Sequence, residues 1–428
     1  MCFGNRREEN VDRIYAEYDL ETPGDLTDTA AIIAGEQSSG TFMKLAGETE
    51  ALKEAFGARI ESIVETGQFD KPSLPCKIDG TKYTRGKIRL SWSLANMGIS
   101  LPNVLATVAG NLFELREVSA LRLLDVEFPQ EFAQKYAGPQ AGIAGTRLLT
   151  GVSSGPLIGT IIKPSVGLSP ADTASLVLEL AEGGIDFLKD DELQANGPHC
   201  PIADRVQAVM TVLNRFADST GKKPMYAFNI TGEMDEMKRN ADLVRDAGGT
   251  CVMVGIHSVG LPCVTELRRH TDLPIHGHRN GWGLFSRSPD IGISFIAWQK
   301  FWRIAGVDHL HVNGLRNKFS EDGASSIASA RQCLTPLFRG AKDFRVMPVF
   351  SSGQSAEQVE DTYKALDSTD LIYCAGGGIM GHPQGLAGGI SSLREAWQAA
   401  VAGVSLEAYS ATHPALRAAV ETFRPRFS

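Results

Sequence analysis

Pro170-Ala-Asp-Thr-Ala-Ser-Leu-Val-Leu-Glu-Leu-Ala-Glu182, the pair Gly183-Gly184, and Ile185-Asp186-Phe187-Leu188-Lys189-Asp190-Asp191-Glu192 together decide the fold. The first segment has apolar residues at helical spacing and ends on glycine. The last opens as a short buried strand, Ile185 to Leu188, and closes with a lysine set among three carboxylates. A helix stopped by glycine and followed by an apolar strand is one unit of an alternating chain, and such alternation implies a parallel sheet.

The unit recurs on both sides. Short apolar, β-branched runs stand at Leu157–Ile162, Ile185–Leu188, Met225–Ile230, Cys251–Ile256, Pro274–Gly277, Val307–Val312, Val346–Phe350 and Leu371–Ala375, with helical stretches between them. Eight units in roughly 270 residues is the arithmetic of an α/β protein with a (β/α)8 TIM barrel. A doubly wound open sheet is the alternative, but it seldom needs eight consecutive repeats.

Upstream the pattern is mixed α+β. It predicts a strand over Val11–Leu20, a helix over Asp25–Ala34, a strand over Lys87–Leu94, a helix starting at Ser100-Leu101-Pro102, and a strand over Leu121–Phe128. The glycine-rich stretch Gly138–Gly151 marks the boundary. An N-terminal α+β domain, residues 1–137, then precedes a barrel with C-terminal helices, residues 138–428.

Composition narrows the function classes. At 43% hydrophobic and 21% charged over 428 residues the chain is ordinary globular protein. A net charge of −8 argues against nucleic acid as the main partner, though not against a local basic pocket. Cys2, Cys76, Cys200, Cys251, Cys263, Cys333 and Cys374 are dispersed, without a Cys-x-x-Cys pair, as reduced thiols of a cytoplasmic protein are. Cys251 and Cys374 sit in apolar runs and read as small core residues. The opening residues lack an apolar signal core and no run approaches a membrane span, so no membrane role is expected.

In a barrel the active site lies at the carboxyl ends of the strands, and the unusual polar residues collect there. Strand by strand they are Lys163-Pro164-Ser165; Lys189-Asp190-Asp191-Glu192; Asn229; His257; His276-Gly277-His278-Arg279; His309 and His311, followed by a loop with Lys318; Ser351-Ser352-Gly353; and Gly376-Gly377-Gly378. Clustered carboxylates repel unless a cation sits between them. A hard divalent ion, Mg²⁺ first, suits oxygen ligands, whereas zinc through the histidines is the weaker fit. A solvated charge run and hydrogen-bonded structural histidines are the bland alternatives. Gly376 to Gly381 formally matches a dinucleotide fingerprint, but no strand evidently follows, so a backbone phosphate cradle is the better reading. Arg279, Ser351 and Lys163 could hold a second phosphate or carboxylate. The residues alone thus describe a magnesium barrel enzyme for a small phosphorylated, oxygenated substrate.

The ordered set Gly159-Thr-Ile-Ile-Lys163-Pro164, Gly184 to Glu192, His278-Arg279, Asp308-His-Leu-His311 and Gly376-Gly-Gly-x-x-Gly381-His-Pro383 resembles the large subunit of ribulose bisphosphate carboxylase (RuBisCO), as do Glu36 to Thr41 and Gly110-Asn111. The resemblance implies a ferredoxin-like α+β N-terminal domain, a barrel, and a homodimer or higher assembly with sites at the subunit junction. It makes Lys189 the lysine that CO2 carbamylates, binding Mg²⁺ with Asp191 and Glu192. Lys163 becomes the acid/base near the enediolate, with His278 also catalytic. Arg279, His311 and Ser351 would form one phosphate pocket; Gly353, Gly376, Gly377 and Thr41 the other. Lys318 matches the lysine of the family's mobile loop, and Glu36 its partner from the neighbouring subunit.

Departures point away from CO2 fixation. The family's Lys-Pro-Lys is Lys163-Pro164-Ser165 here, its Thr-Trp pair is Thr41-Phe42, and the loop Asn313 to Ser320 is unlike the carboxylase loop. The mixture resembles the RuBisCO-like proteins. One branch of these, an enolase of sulfur salvage, carries a lysine base where Asn111 stands; an amide cannot take that proton, and Asn111 instead resembles the carboxylase's catalytic amide, which orients substrate at the metal. The expected function is C–C cleavage of a phosphorylated 3-oxo sugar acid by decarboxylation, transcarboxylation or hydrolysis, as in apionate-type sugar catabolism. An enolase or isomerase of a methylthio-pentulose phosphate and a non-catalytic sugar-phosphate-binding protein are the alternatives.

Overall fold

The structure is a computed structural model; it describes residues 13–40, 47–340 and 342–424. Among the described residues thirteen strands follow in chain order: β1 (Arg13–Thr22), β2 (Arg59–Phe69), β3 (Tyr83–Ser93), β4 (Ala120–Glu127), β5 (Leu157–Ile161), β6 (Phe187–Lys189), β7 (Met225–Asn229), β8 (Cys251–Gly255), β9 (Ile275–His278), β10 (Ile291–Ile293), β11 (His309–Asn313), β12 (Met347–Phe350) and β13 (Ile372–Cys374).

Two compact units form. The first takes residues up to 136 and also 281–301, where the sequence reading draws a single boundary after residue 137. The reason is β10, which pairs parallel with β4 and completes a sheet in the order β10-β4-β1-β3-β2. Val11, the expected start of β1, lies outside the described residues. β2 escaped the sequence reading because its burial does not alternate: most of its residues are exposed. Charged ladders hold this sheet's polar face, with Arg85 on Asp19 and Asp290, and Arg89 on Glu17 and Glu127.

The second unit is the closed parallel barrel β11-β12-β13-β5-β6-β7-β8-β9. All eight strands read from the sequence are present, with ends shifted by one or two residues. Side chains alternate across each strand, so Leu157, Phe187, Met225, Ala227, Cys251, Met253, Met347, Val349, Ile372 and Cys374 fill the interior. Cys251 and Cys374 are core residues, and all six described cysteines are free thiols. The helix Pro170–Glu182 starts on a capping box in which the Ser169 hydroxyl accepts from the Asp172 amide and Asp172 answers the Ser169 amide. Among the described residues, no helix is long and apolar enough to cross a membrane.

Candidate active site

Alternation along β6 sorts the acidic cluster. Phe187 belongs to the barrel interior, so Lys189 and Asp191, two and four residues on, continue on that side, while Asp190 turns away from it. Asp190 is wholly buried against Arg205 (3.1 Å), the Tyr226 hydroxyl (2.6 Å) and the Asn229 amide (2.8 Å). It is a structural anchor, and only two of the three carboxylates face the site.

Those two meet both lysines. Lys163 Nζ lies 2.5 Å from Asp191 Oδ2 and 2.8 Å from Ser165 Oγ, so the serine at the position of the family's second lysine accepts a bond from the first. Lys189, 1% exposed, donates to the Asp190 carbonyl at 2.9 Å and stands 3.6 Å from Glu192 Oε2. His278 Nε2 faces the same Glu192 oxygen at 3.5 Å. Burial and the Lys189 ammonium push the His278 imidazolium down to about 4, against the pull of Glu192 and Asp191, so the ring is neutral at pH 7. Asn229, whose amide donates to the carbonyls of Asp191 and Glu192 at 3.1 and 3.2 Å, holds the backbone of the cluster.

Inside the barrel, three imidazoles form a row. His309 Nε2 meets Thr146 Oγ1 at 2.9 Å; His309 Nδ1 faces His276 Nδ1 at 3.4 Å; His276 Nε2 meets His311 Nε2 at 2.7 Å; and His311 Nδ1 meets Ser351 Oγ at 3.0 Å. The Thr146 hydroxyl spends its proton on the Gly142 carbonyl, 2.5 Å away, and can only accept from His309. The neutral tautomers follow in sequence: His309 carries Nε2–H, His276 Nδ1–H, His311 Nε2–H, and Ser351 donates inward to His311. Burial drives His276, His309 and His311 all well below the usual imidazole range, His309 to about 3. The sequence reading places His276 on the rim with His278 and Arg279; its position between His309 and His311, and the part of Thr146, appear only in the structure. The signal was the spacing of two in both His276-Gly-His278 and His309-Leu-His311.

Arg279 is buried and ion-paired with Glu321, whose Oε2 also accepts from Asn313 Nδ2 at 2.6 Å and whose Oε1 accepts from Ser325 Oγ at 2.8 Å. Glu321 carried no sequence signal, being one acid in a polar loop. Lys318 is exposed, with its ammonium 5.2 Å from the Phe319 ring and its backbone amide bonded to the Ser352 carbonyl at 3.1 Å. Gly353 has φ +88°. Gly376 and Gly377 open the turn Gly376–Met380; a Cβ on Gly377 would meet nothing within 4 Å, so barrel packing does not demand glycine there. His257 donates to the Asn280 carbonyl at 2.8 Å, a structural bond. In the first unit Glu36 is the exposed last residue of the helix Leu26–Glu36 and Asn111 opens a 3-10 turn; Thr41 lies outside the described residues.

Residues 142–423 match the catalytic domain, and residues 8–132 the N-terminal domain, of the ribulose bisphosphate carboxylase large chain. The chain belongs to the RuBisCO large-chain family. A 3-oxo-isoapionate-4-phosphate transcarboxylase/hydrolase of Xanthobacter autotrophicus is 57% identical over 96% of this chain and 100% of its own length. A 3-oxo-isoapionate-4-phosphate decarboxylase of Rhizobium etli is 41% identical, covering 95% of this chain and 97% of its own. The crystal structure of a RuBisCO-like protein from Burkholderia fungorum superposes with a TM-score of 0.90 at 46% identity, covering 96% of this chain and 100% of that one. Within the family the chain stands with the RuBisCO-like members.

A RuBisCO-type magnesium site needs oxygen donors. Among the described residues no three His, Cys, Asp or Glu side chains gather as a ligand set. The chemistry of the donors still fits: Asp191 and Glu192 would supply two carboxylates, and the buried Lys189 beside Glu192 would supply a third only if CO2 converted its amine to a carbamate. The Lys163 ammonium 2.5 Å from Asp191 shows that this carboxylate is already placed to hold a cation.

Proposed function

We propose that this chain is a magnesium-dependent enzyme that breaks a C–C bond of a phosphorylated 3-oxo sugar acid, with transcarboxylation/hydrolysis favoured over simple decarboxylation by the 57% against 41% identity to the two named relatives. The observation that carries the reading is the pairing of Lys163 with Asp191 and of Lys189 with Glu192 on one barrel rim.

Lys189, Asp191 and Glu192 would hold Mg²⁺, whose chemistry is to withdraw charge from the substrate ketone. Lys189 Nζ in its neutral form adds CO2 and releases one proton, which turns a buried cation into an oxygen donor. Lys163 Nζ holds the proton that the carbon chain gains after cleavage, and Ser165 and Asp191 keep that ammonium at the reacting end. Neutral His278 lies between Glu192 and His311, its Nδ1 accepting from the Asn280 amide at 3.2 Å, so that its Nε2–H faces the reacting end. The phosphate sits against Gly353, Gly376 and Gly377, and the pocket of Arg279, His311 and Ser351 takes the other end of the substrate. Lys318, Asn111, Glu36 and Thr41 keep the roles the family implies, as does the homodimeric or higher assembly, and the enzyme is cytoplasmic.

The test is incubation with Mg²⁺, bicarbonate and 3-oxo-isoapionate 4-phosphate in D2O. Metal-dependent cleavage into a smaller phosphate is the expected result. Deuterium uptake without cleavage would instead assign an isomerase, and binding with neither would assign a sensor.

A further inference from the structure

The Arg279 pocket is chemically unlike a phosphate site. A phosphate dianion needs unspent donors and positive charge. Here the Arg279 guanidinium is already matched by the Glu321 carboxylate, 14% exposed, and both Glu321 oxygens are anchored by Asn313 and Ser325. The second expected donor, the Ser351 hydroxyl, is turned inward onto His311 because Thr146 fixes the direction of the histidine row. His311 itself is neutral and bonded at both nitrogens. Beside the guanidinium the pocket presents carboxylate and hydroxyl lone pairs, which recognise O–H donors.

We propose that Glu321 converts the Arg279–His311–Ser351 pocket into a hydroxyl-binding pocket, so that the enzyme selects sugars bearing one phosphate and rejects those bearing two. The inference rests on the proposed function, since it supposes a sugar-phosphate substrate, and it specifies which end of that substrate is unphosphorylated. A second phosphate brought to Arg279 would share the guanidinium with a fixed carboxylate of the same sign, and like-charge juxtaposition of this kind is how binding sites exclude wrong partners. Glu321→Gln keeps the shape and the Asn313 and Ser325 neighbours while removing the charge.

The experiment measures dissociation constants of the full-length protein, with Mg²⁺ and bicarbonate, for ribulose 5-phosphate and ribulose 1,5-bisphosphate by calorimetry. The wild type is expected to bind the monophosphate at least as tightly as the bisphosphate. E321Q is expected to raise the affinity for the bisphosphate relative to the monophosphate by about tenfold or more, as loss of a like charge requires. Ser325→Ala, which frees one Glu321 oxygen, should move the ratio the same way by a smaller amount. A wild type that prefers the bisphosphate, or an E321Q variant whose ratio is unchanged, overturns the proposal. Should E321Q fail to fold, the wild-type ratio and S325A decide it. Selectivity for the monophosphate without cleavage of any 3-oxo acid would retire the proposed reaction and leave this pocket assignment standing.

Discussion

The Nε2 atoms of His276 and His311 lie 2.7 Å apart inside the barrel, so one ring must donate and the other accept. Which does which is decided at the far end of the row, where Thr146 can only accept. Thr146 is therefore a positioning residue for Ser351, acting through three rings. Thr146→Val should leave the fold intact and mix the tautomers, visible as averaged or doubled imidazole ¹⁵N resonances, and should shift KM more than kcat. Thr146→Ser should restore a single set. Unchanged tautomer signals in T146V would show that the row is oriented by something else.

The same rings set the acid limit of the fold. His309 and His278 are held neutral, with pKa values pushed down to about 3 and about 4, and His276 and His311 lie well below the usual range, in each case first because burial disfavours the imidazolium. In the unfolded chain each titrates near 6.5, so below that pH the unfolded state binds protons that the folded state refuses. Stability is full above about pH 6.5 and falls as pH drops, by about 1.4 kcal/mol per pH unit for each such ring. Urea midpoints measured from pH 7 to 4 should show this slope, and His309→Gln should flatten it by one proton; equal slopes in the two proteins would remove His309 from the account.

The barrel was legible because its signal is local: a buried parallel strand is a short apolar run, and each of the eight announced itself, as Cys251–Gly255 does. Lys189, Asp191 and Glu192 were legible for a related reason, since charges at a strand end have no packing explanation. Asp190 was not separable from its neighbours by type, only by the period-two geometry that sends it to Arg205. Glu321 and Thr146 were invisible because their roles depend on partners 42 and 163 residues away. Arg279 was read as a phosphate ligand from residue type, and its charge partner emerges only in three dimensions.

The glycines after β13 offer a contrast between packing and binding. A Cβ on Gly378 would come within 2.8 Å of the Gln354 carbonyl and 3.1 Å of Ser355 Cα, whereas one on Gly377 meets nothing within 4 Å. Gly378→Ala should lower the melting temperature, as forced overpacking costs about 1–3 kcal/mol. Gly377→Ala should melt like the wild type yet raise KM for the phosphorylated substrate, because the added methyl occupies space meant for the ligand. A G377A enzyme with unaltered KM would move the phosphate away from this turn.

Lys163 and Lys189 should fail in different ways. Lys163→Met removes a proton donor and should cost about 10²–10⁴ in kcat, the usual range for a general acid, while metal-dependent CO2 uptake persists. Lys189→Met keeps the buried volume but removes the amine, so turnover and bicarbonate dependence should vanish together. Labelled bicarbonate trapped on the protein separates them: retained in K163M, absent in K189M. Bicarbonate-dependent activity in K189M would exclude a carbamate at this residue.

Asp190 should matter to stability before it matters to chemistry. It and Arg205 are a buried pair, 1% and 0% exposed, and Asp190 also receives the Tyr226 hydroxyl and the Asn229 amide. Removing one partner strands the other charge without solvent, so Asp190→Ala should destabilise by about 3–5 kcal/mol. Arg205→Met with Asp190→Ala leaves no stranded charge and should recover much of that loss. Because Asn229 links Asp190 to the Asp191 and Glu192 carbonyls, the double variant should regain its melting temperature more fully than its kcat. Equal recovery of both would mean that Asp190 anchors the fold without aligning the neighbouring carboxylates.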